Sequence, residues 1–155
     1  MLRVDDRAPF VALVAMWIAE ILRDNPIVTS VERDPDVDRW YVRVRGDEKT
    51  VTTVWITVGE QVVHAESYFM AWPEDNAAEV FEYLLRSSYR FFGLRFCVGP
   101  EDAVYLRAEL PLSALVGGNP NDELDRLLGA TYAYTEDCFR TAMKLAFGDR
   151  FRPAG

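Results

Sequence analysis

The chain has 155 residues, is 50% hydrophobic and 13% aromatic, and carries 17 basic against 25 acidic side chains for a formal net charge of −8. A chain of this length can bury about two thirds of its extended surface without metals or disulfides, and its apolar content is too high for a disordered segment. The acidic balance argues against non-specific nucleic-acid binding and against docking on an anionic membrane, both of which need clustered Lys and Arg. The charge is spread as −2, −3 and −3 over residues 1–50, 51–100 and 101–155, a solvating coat with no acidic tail.

Taken in chain order, the first element is a helix from Pro9 to Asn25, where Phe10, Leu13, Val14, Trp17, Ile18, Ile21 and Leu22 fall at helical spacing. Asp6 is placed to cap it, and Asn25-Pro26 stops it. A turn-rich stretch, Arg33-Asp34-Pro35-Asp36, leads into three strands. Trp40 to Arg45 alternates cleanly between two faces. Gly46 to Lys49 reads as a hairpin turn, Thr50 to Val58 is dense in β-branched residues, and Gln61 to Ala71 forms the third strand of an antiparallel meander.

A second helix is predicted from Glu74 to Phe92, with Ala77, Val80, Phe81, Leu84, Leu85, Ser88, Phe91 and Phe92 as its core stripe. Pro73, Glu74 and Asp75 suit its first turn, and Gly93 closes it. Arg95 to Val98 and Ala103 to Leu110 form a hairpin, Pro111 to Pro120 a loop, and Asp122 to Phe147 a last helix. Leu124, Leu127, Leu128, Thr131, Thr135, Cys138, Phe139, Ala142, Met143 and Ala146 are its buried stripe. The expected architecture is therefore an α+β sandwich, ordered α-β-β-β-α-β-β-α, with helices packed on a five-stranded antiparallel sheet and one domain over residues 1–155.

The residues that carry chemistry are few. His64 is the only histidine, so a two-histidine metal site is impossible, and Glu66 shares its strand face. Cys97 and Cys138 lie far apart with no paired Cys/His spacing, and both read as buried small hydrophobes. Asp34, Asp36 and Asp38 mimic the start of a calcium loop, but Pro35 intrudes and the twelfth position is Arg45, so they form an acidic turn. Gly117-Gly118 lacks a phosphate-loop context. Carboxylates at helix starts, such as Asp122 and Glu123, are explained by the helix dipole. No catalytic residue, cofactor or metal ligand is assigned. The apolar run Phe10–Ala19 is too short to span a bilayer and does not follow a basic leader, so a reducing cytoplasm is the expected compartment.

The informative pattern is the sheet. With Trp40, Val42 and Val44, then Val54, Ile56 and Val58, then Val104, Leu106, Ala108 and Leu110 facing the helices, the other face shows Tyr41, Arg43, Arg45, Val51, Thr53, Trp55, Tyr105, Arg107 and Glu109. The third strand is ambiguous; one register adds His64, Glu66, Tyr68 and Met70. Large aromatics interleaved with arginine are the side chains that carry interface energy. Tyr41, Arg43, Arg45, Trp55, Tyr105 and Arg107 are therefore the candidate partner surface. Its ordinary alternative is the wet face that many antiparallel sheets wear.

Certain strings resemble a known family. Ser67-Tyr68-Phe69-Met70-Ala71-Trp72-Pro73-Glu74, Leu84-Leu85-Arg86, Val104-Tyr105-Leu106-Arg107-Ala108-Glu109-Leu110-Pro111 and Asn121-Asp122-Glu123-Leu124-Asp125-Arg126-Leu127-Leu128 are similar to the YbjN-domain proteins over roughly residues 10–148. The departure is Ser87-Ser88-Tyr89, where the family usually has an Asn after the helix leucines. The resemblance implies a type III secretion chaperone-like fold and a small, non-enzymatic cytoplasmic protein that is often dimeric. It brings no catalytic residue with it. The expected function is a protein-binding module of chaperone-like or adaptor character that uses the sheet face and self-associates as a homodimer, with no nucleic-acid or membrane partner. The alternative is a small-ligand sensor or unrecognised enzyme with a pocket between sheet and helices.

Overall fold

The computed structural model describes residues 6–152. Helix α1 (Arg7–Asp24) opens the fold and buries Phe10, Val14, Trp17, Ile18 and Ile21, one stripe at three- and four-residue spacing. Asp6 occupies the N-cap position without a side-chain cap bond. The Asn25 amide closes the last turn on the Ile21 carbonyl, and Pro26 prevents a further one.

Six strands follow: β1 (Val28–Arg33), β2 (Arg39–Arg45), β3 (Val51–Val58), β4 (Val62–Met70), then, after helix α2 (Ala77–Arg90), β5 (Leu94–Val98) and β6 (Val104–Pro111). They form one antiparallel sheet in the order β1-β2-β3-β4-β6-β5. Period-two alternation places Trp40, Val42 and Val44, Val54, Ile56 and Val58, Val63 and Ala65, and Val104, Leu106 and Ala108 in the core. Helices α1, α2 and α3 (Pro120–Phe147) cover that side, α1 against β1 and β3, α3 against β4 and β6, and α2 against α3 and β5. The Trp17 indole N–H donates to Asp125 Oδ1 at 2.8 Å and so ties α1 to α3 across the core. Among the described residues, no helix lies on the opposite side of the sheet.

The sheet has six strands where the sequence suggested five. Strand β1 escaped notice because it is an edge strand with one fully buried residue, Val28, and five residues partly or wholly in water. The antiparallel α+β architecture with three helices is as expected. Helix α2 is shorter than its periodicity suggested. It begins at Ala77 behind Asn76, which holds a left-handed φ of 54°, and ends at Arg90. Glu74 and Asp75 precede the helix and pair instead with Arg150, at 2.6 and 2.9 Å. Leu85 and Phe92, expected in the core, lie in water, and the fully buried positions of α2 are Val80, Leu84 and Ser87. The loop after β6 contains a 3-10 turn, Leu112–Leu115, whose two leucines are buried.

The β2–β3 turn is clamped onto α3. Glu136 accepts the Glu48 amide at 2.7 Å, and Arg140 pairs with Glu48 at 2.7 Å. Lys49 reaches past the turn to donate to the carbonyls of Tyr68 and Phe69, with Nζ over the Tyr68 and Phe139 rings. Burial lowers its ammonium to about 8.

Candidate functional site

The helix-free face of the sheet is built by register. Glu32 pairs with Tyr41, Tyr41 with Trp55, Trp55 with Glu66, Glu66 with Arg107, and Arg107 with Arg95, a single row that crosses all six strands. On one side of it stand Ser30, Arg43 and Thr53, with Tyr68, Tyr105 and Cys97; on the other stand Arg39, Thr57, His64 and Glu109. All six candidate residues, Tyr41, Arg43, Arg45, Trp55, Tyr105 and Arg107, lie on this face. The ambiguous strand is resolved with His64, Glu66 and Tyr68 beside them. Met70 is the exception: a register shift between Tyr68 and Met70 turns it inward, so Phe69 and Met70 are both buried.

Many of these side chains are already held by neighbours. The Tyr41 hydroxyl donates to Asp34 Oδ2, and its ring meets Trp55 edge-on at 5.4 Å. That hydroxyl and the Asp36 amide hold the Asp34 carboxyl below the usual range, and Tyr41 is pushed up in return by the same bond. Asp34 Oδ1 accepts the amides of Asp36 and Val37, so the aspartate-rich segment is an Asx turn. Arg39 lies over the Trp55 ring and donates to Thr57 Oγ1 at 2.9 Å. Tyr68 and Tyr105 form a second edge-on pair at 5.8 Å.

The three carboxylates on the strands of this face are unequal. Arg95 grips Glu109 with two bonds of 2.7 and 2.8 Å, which lowers the Glu109 carboxyl and raises Arg95. Arg107 Nε stands 2.9 Å from Glu66 Oε2, close enough for an ion pair but off the line of a hydrogen bond. Glu32 is exposed at the edge. Against them the strands of the face set Arg39, Arg43, Arg45, Arg95 and Arg107, five arginines to three glutamates in a chain of net charge −8, with the Asp34 carboxylate a fourth acid beside Tyr41. Arg43 and Arg45 are exposed and have no carboxylate partner among the described residues. Trp55 is 40% exposed and Tyr68 47%, which leaves ring surface free between the two aromatic pairs.

Not every expected role holds. Tyr105 is half-buried, and a Cβ at Gly99 would come within 2.2 Å of its ring, so it is packed as well as displayed. Cys138 is buried as expected, whereas Cys97 is only half-buried and sits on the open face opposite Tyr105; burial raises both thiols. His64 is half-buried, and its Nδ1 is enclosed without a hydrogen-bond partner among the described residues. Two arginines are among the residues of the face that were missed. Arg39 is two positions before Tyr41, so the alternation of β2 contained it. Arg95 became assignable only once β5 was paired to β6.

Elsewhere, an open groove of about 270 Å³ lies between the β5–β6 end of the sheet and α3, lined by Leu94, Leu110, Leu127 and Tyr134 with Glu109 and Arg126 at its rim. Among the described residues, no three His, Cys, Asp or Glu side chains are placed to share a metal ion, and no helix is long and apolar enough to cross a membrane.

The chain is similar to several proteins. An uncharacterized protein of Mycobacterium leprae is 28% identical over 109 residues, which is 70% of this chain and 57% of that protein. Uncharacterized proteins of Mycobacterium bovis and Mycobacterium tuberculosis are 28% identical over 106 residues, 68% of this chain and 56% of theirs. The chain thus spans little more than half the length of these relatives. The crystal structure of an uncharacterized protein from Methanothermobacter thermautotrophicus, 15% identical, matches 87% of this chain and 97% of its own with a TM-score of 0.54, and shares the fold. The YbjN family model, described as "Putative bacterial sensory transduction regulator", matches residues 15–142. With that match over most of the sequence, the chain belongs to the YbjN family.

Proposed function

We propose that the protein is a non-enzymatic regulatory adaptor of the bacterial cytoplasm, with a type III secretion chaperone-like arrangement, that holds an acidic protein segment on its open sheet face and self-associates. One observation carries the reading: Arg43 and Arg45, exposed and without carboxylate partners among the described residues, follow Tyr41 along β2 on one side of the exposed ring of Trp55, on a face whose other charges are largely matched internally. Arginine and aromatic side chains dominate interface energetics, and opposite charge steers encounter. The family's description as a regulator of sensory transduction supports a partner-binding role. The test uses two synthetic ten-residue peptides, one alternating Glu with Tyr and one alternating Lys with Tyr. The protein is expected to bind the first more tightly, with affinity falling as salt rises, and R43E/R45E is expected to lose about 10-fold or more, since exposed ion pairs contribute about 0.2–1 kcal/mol each and reversal adds repulsion. Equal binding of both peptides, or an unaffected double variant, would overturn it.

A small-ligand reading has one observation behind it, the 270 Å³ groove against α3. A copurifying small molecule in native mass spectrometry that is lost on Leu127→Trp would favour that reading; a clean mass would count against it.

A further inference from the structure

The β1 edge of the open face carries a second pattern, and a bulge makes it. Strict alternation from the buried Val28 would turn Ser30 into the core. Instead the register shifts between Val28, which faces Val44, and Ser30, which faces Arg43. The extra residue is Thr29, whose hydroxyl donates to the Arg43 carbonyl at 3.3 Å, and the bulge turns Ser30 outward. Arg43 in turn faces Thr53. A hydroxyl, a guanidinium and a second hydroxyl thus stand in one line across β1, β2 and β3, at the ~4.8 Å spacing of neighbouring strands.

Ser30, Arg43 and Thr53 line an open depression of about 490 Å³ that Glu32 and Tyr41 close from the next row. The Tyr41 hydroxyl is committed to Asp34. None of the three side chains in the line makes a hydrogen bond among the described residues. Arg45 follows two positions along β2, about 7 Å away on the same face. These groups outnumber what one carboxylate uses, with its two oxygens and single charge. A phosphomonoester offers three terminal oxygens and close to two charges at neutral pH. That suits a guanidinium fork, two flanking hydroxyls and a second arginine.

We infer that the Ser30–Arg43–Thr53 line is a phosphoryl-binding subsite, so that the acidic segment received by this face is a phosphorylated one, carrying phosphoserine or phosphothreonine over Arg43. This subsite rests on the proposed function and adds to it a chemical mark that strengthens capture. Glu32, the carboxylate on the wall of the depression, opposes a dianion more than a monoanion.

The test puts phosphoserine in place of one central glutamate of the Glu/Tyr peptide and compares the two affinities by titration calorimetry. The phosphoserine peptide is expected to bind about 10-fold more tightly than its glutamate parent. S30A/T53V should cut that preference to about 2-fold or less, with the melting temperature checked to show an intact fold; S30A and T53V alone should each remove part of it. E32Q should tighten the phosphoserine peptide more than the parent. A phosphoserine peptide no tighter than its parent, or a preference that survives S30A/T53V in the folded protein, would overturn the inference. The proposed function would then still stand if the parent outbound the Lys/Tyr peptide, and both would fall if it did not. Inorganic phosphate or a short DNA strand binding as tightly as the phosphoserine peptide would also overturn the inference, since no phosphorylated segment would be called for.

Discussion

Ser67 offers a sharp test of the packing described above. Its hydroxyl faces the core from β4, the residue is 1% exposed, and Oγ has no hydrogen-bond partner among the described residues; its cross-strand neighbours are Val54 and Leu106. A desolvated hydroxyl without a partner costs about 1–3 kcal/mol. Ser67→Ala removes it and leaves a void of roughly one atom, about 10–15 Å³, which at ~24 cal/mol per Å³ costs about 0.3 kcal/mol. The variant should therefore be more stable by about 1 kcal/mol. With an unfolding entropy of about 2.1 cal/mol/K per residue, the melting temperature should rise by roughly 3 °C. Urea titrations should show the same gain as a higher midpoint with an unchanged slope. A loss of 1 kcal/mol or more would refute the reasoning, since it would mean that the hydroxyl is satisfied in the native protein.

Two further perturbations probe the elements that support the open face. Burial lowers the Lys49 ammonium to about 8 in the folded protein, below its ordinary 10.5, so between those values the unfolded chain holds this proton and the folded one does not, and the Lys49 contribution to stability rises with pH; chemical denaturation should show Lys49→Met gaining less, or losing more, stability than the wild type between pH 8 and 10.5. Gly99→Ala would push a Cβ into the Tyr105 ring, cost about 1–3 kcal/mol by overpacking, and disturb the Tyr68–Tyr105 pair, to be read from the melting temperature and the tyrosine ring resonances in NMR spectra.

The parts of the fold that were legible in the sequence are those where one face is buried and the other wet. Trp40 to Arg45 and Val104 to Leu110 alternate without interruption, so their inward and outward sets could be assigned before any pairing was known, and the six candidate residues fell on one face. Strand β4 resisted because Val62-Val63-His64-Ala65 offers apolar residues to both faces, and because the shift near Tyr68 turns Met70 against simple alternation. Periodicity alone does not fix how wide a buried stripe is. Leu84 and Leu85 are adjacent, and only the packing of α2 on α3 and β5 decides that the first is core and the second exposed. Glu74 and Asp75 looked like helix-start carboxylates; their partner, Arg150, is some 75 positions away and no local rule reaches it. The charge asymmetry of the open face was invisible for a similar reason, since Glu66, Glu109, Arg95 and Arg107 cancel only after the strands are in register.

The central claim, that this face receives an acidic segment, is tested most directly by the indole N–H resonances of the four tryptophans during titration with the Glu/Tyr peptide. Trp17 and Trp40 are in the core and serve as internal controls. The account predicts that the Trp55 indole and the Arg43 and Thr53 amides shift in a saturable, salt-sensitive way while Trp17 and Trp40 stay still. Shifts confined to Trp72 and α2, or none at any tryptophan while the peptide binds, would contradict it.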